Sequence, residues 1–189
     1  MKITVTRTPL PGVLLVDTPY NRDPRGFFLE AWHERDYALA GLALHFVQEN
    51  HSGSERGVLR GLHYQDLSAP LAKLVRCTQG RIFDVVVDLR VGSPAFGRWF
   101  SVELNAEDAR QIFVPVGFAH GFQALTERVE VQYKQTGFYT RSAETSIAWD
   151  DPEIGVSWPI ADPILSERDR HGISFAQYRR APAFTAEGP

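Results

Sequence analysis

Two polar clusters carry residue types suited to moving a proton. In the first, Gln48-Glu-Asn-His51 leads through a Ser/Gly-rich stretch to Arg60-Gly-Leu-His-Tyr-Gln65. Histidine titrates near neutrality, so a buried but solvent-reachable His63 could take a proton from carbon where a carbonyl acidifies that carbon. An acidic partner would fix the imidazole tautomer and stabilise the imidazolium. Asp84, Asp88 and the Glu167-Arg-Asp169 segment all qualify, and spacing does not choose among them. Inverting a carbon also needs an acid on the opposite face. Tyr133 suits that task, because a phenol with a pKa near ~10 stays protonated at neutral pH. A developing enolate needs a cationic or hydrogen-bonding neighbour, and Lys73 and Arg60 are candidates.

Each of these residues also has a plain structural reading, since most Lys and Arg side chains are solvated surface groups. The second cluster, Pro115-Val-Gly-Phe-Ala-His-Gly121, reads as a rigid turn that delivers His120 at a strand start, either to a site or to the edge of the core. Arg25-Gly-Phe-Phe28 is either a turn before a core strand or an arginine held out for phosphate. His33, His45 and His171 lack partnered context and read as structural or surface residues. Cys77 lies in an apolar strand and reads as buried. A metal-binding β-barrel is the rival chemistry. Two histidines one residue apart on a strand would share a metal, but His63-Tyr64-Gln65 supplies one histidine and an amide. His51, His63 and His120 could still converge in space.

The elements that must position these groups have period two. Strands are expected over Lys73 to Gln79, Ile82 to Leu89, Trp99 to Leu104, Ile112 to Val114 and Val129 to Tyr133, separated by Gly, Pro, Asn and Asp turns. That pattern argues for a β-sandwich or barrel rather than a βαβ sheet. If the segment from Arg60 to Gln65 is extended, Arg60, Leu62 and Tyr64 share one face while Gly61, His63 and Gln65 share the other. Gly61 would then remove bulk where a ligand approaches the backbone. Glu34 to Leu42 suggests one short helix, and Asn105 to Arg110 a single turn capped near Asn105.

Bulk properties narrow the classes. With 189 residues, 43% apolar and 23% charged, the chain suits one globular domain over residues 1–189, with a loosely held terminus from about Ala181. Its 20 basic and 23 acidic side chains give a net charge of −3, which offers no global attraction for nucleic acid. No apolar run approaches the ~20 residues of a membrane span. The first ten residues lack a signal-peptide pattern, and the single cysteine forms no internal disulfide; both fit a cytoplasmic setting.

Taken together, the motifs resemble the dTDP-4-dehydrorhamnose 3,5-epimerase family. The stretches that carry the resemblance are Asp23-Pro-Arg-Gly-Phe-Phe, Phe46-Val-Gln-Glu-Asn-His-Ser, Arg56-Gly-Val-Leu-Arg-Gly-Leu-His-Tyr-Gln, Lys73-Leu-Val-Arg, Phe83-Asp-Val-Val-Val-Asp-Leu-Arg, Gly92-Ser-Pro-Ala-Phe-Gly, Val114-Pro-Val-Gly-Phe-Ala-His-Gly-Phe, Trp149-Asp-Asp-Pro and Leu165-Ser-Glu-Arg-Asp. They occur in the family's order between about Pro11 and Gly172. The resemblance implies an all-β, cupin-type jelly-roll β-barrel with a few short helices. It implies a thymidine-diphosphate-linked 4-keto-6-deoxyhexose as substrate, a homodimer with exchanged or extended N-terminal strands, and neither metal nor organic cofactor.

By the same resemblance His63 is the base, Asp169 its partner and Tyr133 the opposing acid, with Lys73 and Arg60 near the keto group. Arg25, Gln48 and Asn50 hold the nucleotide diphosphate, Arg25 and Phe27 entering a partner subunit's site. His120 lies near the sugar, and Arg168 contacts phosphate. One departure concerns Gly137-Phe-Tyr139, where typical double epimerases carry Asp-Tyr-Tyr. Phe138 keeps a ring to pack on sugar or base but has no hydroxyl. Inversion at C3 or C5 alone is therefore the alternative to inversion at both, and a non-enzymatic nucleotide-sugar-binding protein is a further one.

Overall fold

The structure is a computed structural model and describes residues 3–186. The chain opens with β1 (Thr4–Arg7), β2 (Leu14–Asp17) and a hairpin of β3 (Tyr20–Asp23) and β4 (Gly26–Leu29). Helix α1 (Glu34–Leu39) follows, its first turn capped by His33, whose ring accepts from the Asp36 amide. Then come β5 (Gln48–Glu55), β6 (Leu59–Gln65), β7 (Lys73–Gln79), β8 (Arg81–Asp88), β9 (Arg90–Val91), β10 (Trp99–Asn105), β11 (Arg110–Val114), β12 (Phe118–Ala124) and β13 (Arg128–Gln135). The chain continues through β14 (Glu144–Ser146), α2 (Glu167–Arg170), α3 (Phe175–Arg180) and β15 (Phe184–Thr185). The expected turn after Asn105 is an Asx turn, with the Asn105 side chain accepting from the Glu107 and Asp108 amides.

Two antiparallel sheets face each other. One runs β1-β2-β11-β7-β13-β5 and the other β10-β8-β12-β6-β14. Alternating side chains from both, among them Val75, Ile112 and Val131 from the first and Ile82, Val86 and Phe122 from the second, form the core between them. The outer face of the five-stranded sheet packs Leu62, Tyr64 and Val85 against Phe175 and Tyr178 of α3. Tyr37 of α1 packs on Val16, Leu74 and Phe113 behind the six-stranded sheet.

The strands are where the period-two signal puts them, but the closed jelly-roll barrel is not what they build. Each large sheet ends in two edge strands, β1 and β5 in one and β10 and β14 in the other, and no ladder among the described residues joins first strand to last. Closure requires the hydrogen-bond ladder to return to its first strand. Alternation along one strand says which face is buried, not which strand lies beside it. Within the stretch from Ala181, Phe184 is buried and pairs with Arg90, in parallel. Among the described residues no helix is long and apolar enough to cross a membrane.

The expected faces of β6 also change. On β12, His120 and Phe122 are two residues apart, yet their partners on β6, His63 and Arg60, are three apart. The extra residue is a bulge, and it brings Arg60 round to the side of His63. Gly61 sits there at φ +142°, and a Cβ on it would lie 2.5 Å from the Gly121 Cα. The missing side chain makes room for the neighbouring strand's backbone rather than for a ligand.

Candidate active site between the sheets

A cavity of about 580 Å³ opens between the two sheets at the end where β5 and β6 run. The six-stranded sheet lines it through alternating positions. Gln48, Asn50 and Ser52 of β5 stand opposite Gln135, Tyr133 and Val131 of β13, and Gln135 in turn stands opposite Lys73 of β7. The five-stranded sheet contributes Arg60 and His63 from β6 and His120 and Phe122 from β12. Glu144 of β14, Ser166 and the α2 residues Arg168 and Asp169 close the side next to His63.

Among the three acidic candidates for His63 the fold selects Asp169. His63 Nε2 lies 2.5 Å from Asp169 Oδ1. Asp84 instead bonds His120 Nε2 at 2.9 Å, and Asp88 is taken by Arg90 and Ser93. Arg168 Nη2 also lies 3.1 Å from His63 Nε2. A guanidinium can only donate, so Nε2 cannot both accept from it and donate to the carboxylate. The shorter bond to Asp169 holds the proton on Nε2 and leaves Nδ1 as the basic nitrogen.

The electrostatics favour a neutral ring. Burial lowers the His63 pKa, with help from the Lys73 and Arg168 charges and against the bond to Asp169. For Asp169 burial acts upward, but the bonds from His63 and Ser166 and the nearby cations outweigh it and hold the carboxyl low. A neutral imidazole beside a carboxylate is the resting state at neutral pH.

Across the cavity, burial raises the Tyr133 pKa, partly offset by its bond with Asn50. The phenol therefore keeps its proton. Lys73 Nζ stands 5.9 Å from the centre of the Tyr133 ring. Burial brings the Lys73 pKa down to about 8, against the attraction of Glu144 and Asp84. Its ammonium makes no hydrogen bond or ion pair among the described residues, and is therefore open to an incoming oxygen.

Other expected residues divide. Gln48, Asn50, Arg60, His120 and Arg168 all line the cavity. Gln48 donates to Asn50, which donates to Gln135, so the amide row is fixed by its own bonds. Arg60 is anchored on Ser54 Oγ and the Gly53 carbonyl. Arg25 and Phe27 are not brought in. They sit on the exposed β3–β4 hairpin, where Arg25 bonds Asp23. Phe138 is not a lining residue either, its side chain being largely exposed. The adjacent Tyr139 lines the cavity instead, donating through its hydroxyl to Glu144.

Glu144, Tyr139, Gln135 and Ser166 were not legible as site residues. Glu144 pairs with Arg168, a contact 24 residues apart in sequence that no local motif announces. The three-histidine metal cluster does not form. His51 pairs with Glu130 and is not a lining residue, while His63 and His120 each hold a carboxylate. Among the described residues the group with donor atoms within 4.8 Å of one another is Glu30, His33 and Asp36, and none of these lines the cavity. Cys77 is buried and bonded to the Gln79 and Gly80 carbonyls, and burial pushes its thiol up to about 11. It is no nucleophile.

Comparison with known proteins follows the same lines. The profile of a family described as dTDP-4-dehydrorhamnose 3,5-epimerase matches residues 7–177. A protein of that name from Pseudomonas aeruginosa is 51% identical over 173 residues, covering 90% of this chain and 95% of that protein. A crystal structure of the Elizabethkingia anophelis 3,5-epimerase superposes with a TM-score of 0.87 at 42% identity, covering 94% of this chain and 98% of that one. The Legionella pneumophila 3,5-epimerase, crystallised with dTDP-4-keto-L-rhamnose, gives 0.93 at 36% identity, covering 98% and 100%.

Proposed function

The chain belongs to the dTDP-4-dehydrorhamnose 3,5-epimerase family, and from that premise we propose that it epimerises thymidine-diphosphate-linked 4-keto-6-deoxyglucose at C3 and C5. The observation that carries the reading is the opposition of His63, held by Asp169 on one sheet, to Tyr133 on the facing sheet, with Lys73 beside it.

Both C3 and C5 flank the C4 ketone, so either C–H is acidified through the same carbonyl. His63 Nδ1 takes the proton, and the electron pair of the broken C–H bond moves into the enolate. Asp169 stabilises the imidazolium formed. The oxyanion at C4 gains from the Lys73 ammonium and from Arg60, which are in place before charge develops. Tyr133 delivers a proton to the opposite face, and the carbon is inverted without net redox change. Exchange with solvent restores the imidazole and the phenol.

The amide row of Gln48 and Asn50 suits the polar part of the nucleotide, and Arg168 suits a phosphate once released from Glu144. His120 stands directly across from His63 in the ladder and suits a sugar hydroxyl. The β3–β4 hairpin projects Arg25, Phe27 and Phe28 into solvent, an arrangement that fits delivery of these residues to a second subunit in a homodimer.

Proton NMR of the keto-sugar nucleotide in deuterated water tests the reading. Deuterium should enter at both C3 and C5. Persistent exchange at one carbon alone would make the enzyme a single-centre epimerase, and tight binding without any exchange would make it a binding protein. Light scattering reads the dimer, and Arg25→Ala should weaken thymidine diphosphate binding only if the hairpin reaches a partner's cavity.

A further inference from the structure

Asp169 offers two carboxylate oxygens, and only one faces His63. The other, Oδ2, lies 2.6 Å from Ser166 Oγ. Ser166 is also the N-cap of α2, where the same hydroxyl oxygen accepts the Asp169 backbone amide at 3.2 Å. One serine thus binds Asp169 at both its main chain and its side chain. Helix α2 is four residues long, far too short to hold its own conformation in water. Asp169 is 3% exposed, so an oxygen left without its donor would have little access to water in compensation.

We infer that Ser166 is a positioning residue for proton abstraction, clamping the Asp169 carboxylate so that Oδ1 stays on His63 Nε2 and Nδ1 faces the substrate. The inference rests on the reading of His63 as the base. Its geometry gives it a readout that does not depend on turnover. The clamp orders three groups in series, Ser166 to Asp169 to His63, across 106 residues of sequence. The hydroxyl donates to a carboxylate oxygen and so stabilises the ionised form. Without it the carboxylate becomes a stronger base, the imidazolium of His63 is better stabilised, and the neutral imidazole is reached only at higher pH.

The test compares Ser166→Ala with Ser166→Thr, which keeps a hydroxyl able to cap the helix. In Ser166→Ala, kcat should fall about ten- to hundred-fold, as expected for losing one hydrogen bond to a charged group. KM should change little, and the acidic limb of the pH profile should move to higher pH. Ser166→Thr should recover most of both. The downfield N–H proton of the His63–Asp169 bond, followed by NMR in the unliganded protein, should shift or broaden in the alanine variant and return in the threonine variant. A purely structural role would lower the melting temperature while leaving the pH limb and that resonance where they are, and that outcome would overturn the inference. Wild-type protein that exchanges no substrate proton would instead overturn the proposed function, while the resonance would still report on the clamp.

Discussion

His63 and Tyr133 line one cavity from two different sheets, His63 on β6 of the five-stranded sheet and Tyr133 on β13 of the six-stranded one. A planar enolate lying between the sheets would present one face to each residue. Base and acid would then act on opposite faces without either having to cross the ring.

Replacing His63 by asparagine should remove solvent-deuterium incorporation into the keto-sugar by about 10²- to 10⁴-fold, the range for losing a general base. Thymidine diphosphate affinity, measured by calorimetry, should stay within a few-fold of wild type. Exchange at the normal rate would move the base elsewhere.

Tyr133→Phe should separate the two half-reactions. Deuterium should still wash into the substrate, because His63 remains, while inverted product falls about 10²-fold or more. Equal product from the variant would mean that another group delivers the proton.

The pH profile of kcat/KM should be bell-shaped. The base must be neutral, so activity rises with pH, and because burial lowers the His63 pKa this limb lies below the ordinary imidazole value of 6.5. If the Lys73 ammonium stabilises the oxyanion, activity falls again as pH passes about 8. Lys73→Arg should abolish that alkaline limb, since a guanidinium does not titrate there.

Glu144 attracts the Lys73 charge and so raises its pKa. Glu144→Gln should therefore draw the alkaline limb to lower pH and release Arg168 from its ion pair. An unmoved limb in this variant would show that Lys73 is not the group that titrates.

Gly61→Ala should destabilise the fold by about 2 kcal/mol or more, because its Cβ would meet the β12 backbone at a φ unfavourable for alanine. Thermal denaturation reads the loss. Gly53→Ala, where a Cβ meets nothing within 4 Å, is the control.

Much of this was legible in the residues. Alternation placed β7, β8, β10, β11 and β13 within a few residues of their observed ends, because a half-buried strand needs an apolar side chain at every second position. Residue chemistry singled out His63, Tyr133, Lys73, Arg60 and the clusters that hold Gln48, Asn50 and His120, and family motifs chose Asp169 among the acidic candidates and added Arg168. Pairing was not legible. Residue spacing alone left Asp84, Asp88 and Asp169 open as partners of His63, and only the family motifs pointed to Asp169; that a bulge turns Arg60 towards His63, and that Glu144, Tyr139 and Ser166 join the cavity, depends on which segments pack side by side. So does the replacement of an expected closed barrel by two open sheets. Local sequence determines the period of burial along a strand. The partner across the ladder is set by contacts between segments tens of residues apart, and only the packed chain selects among them.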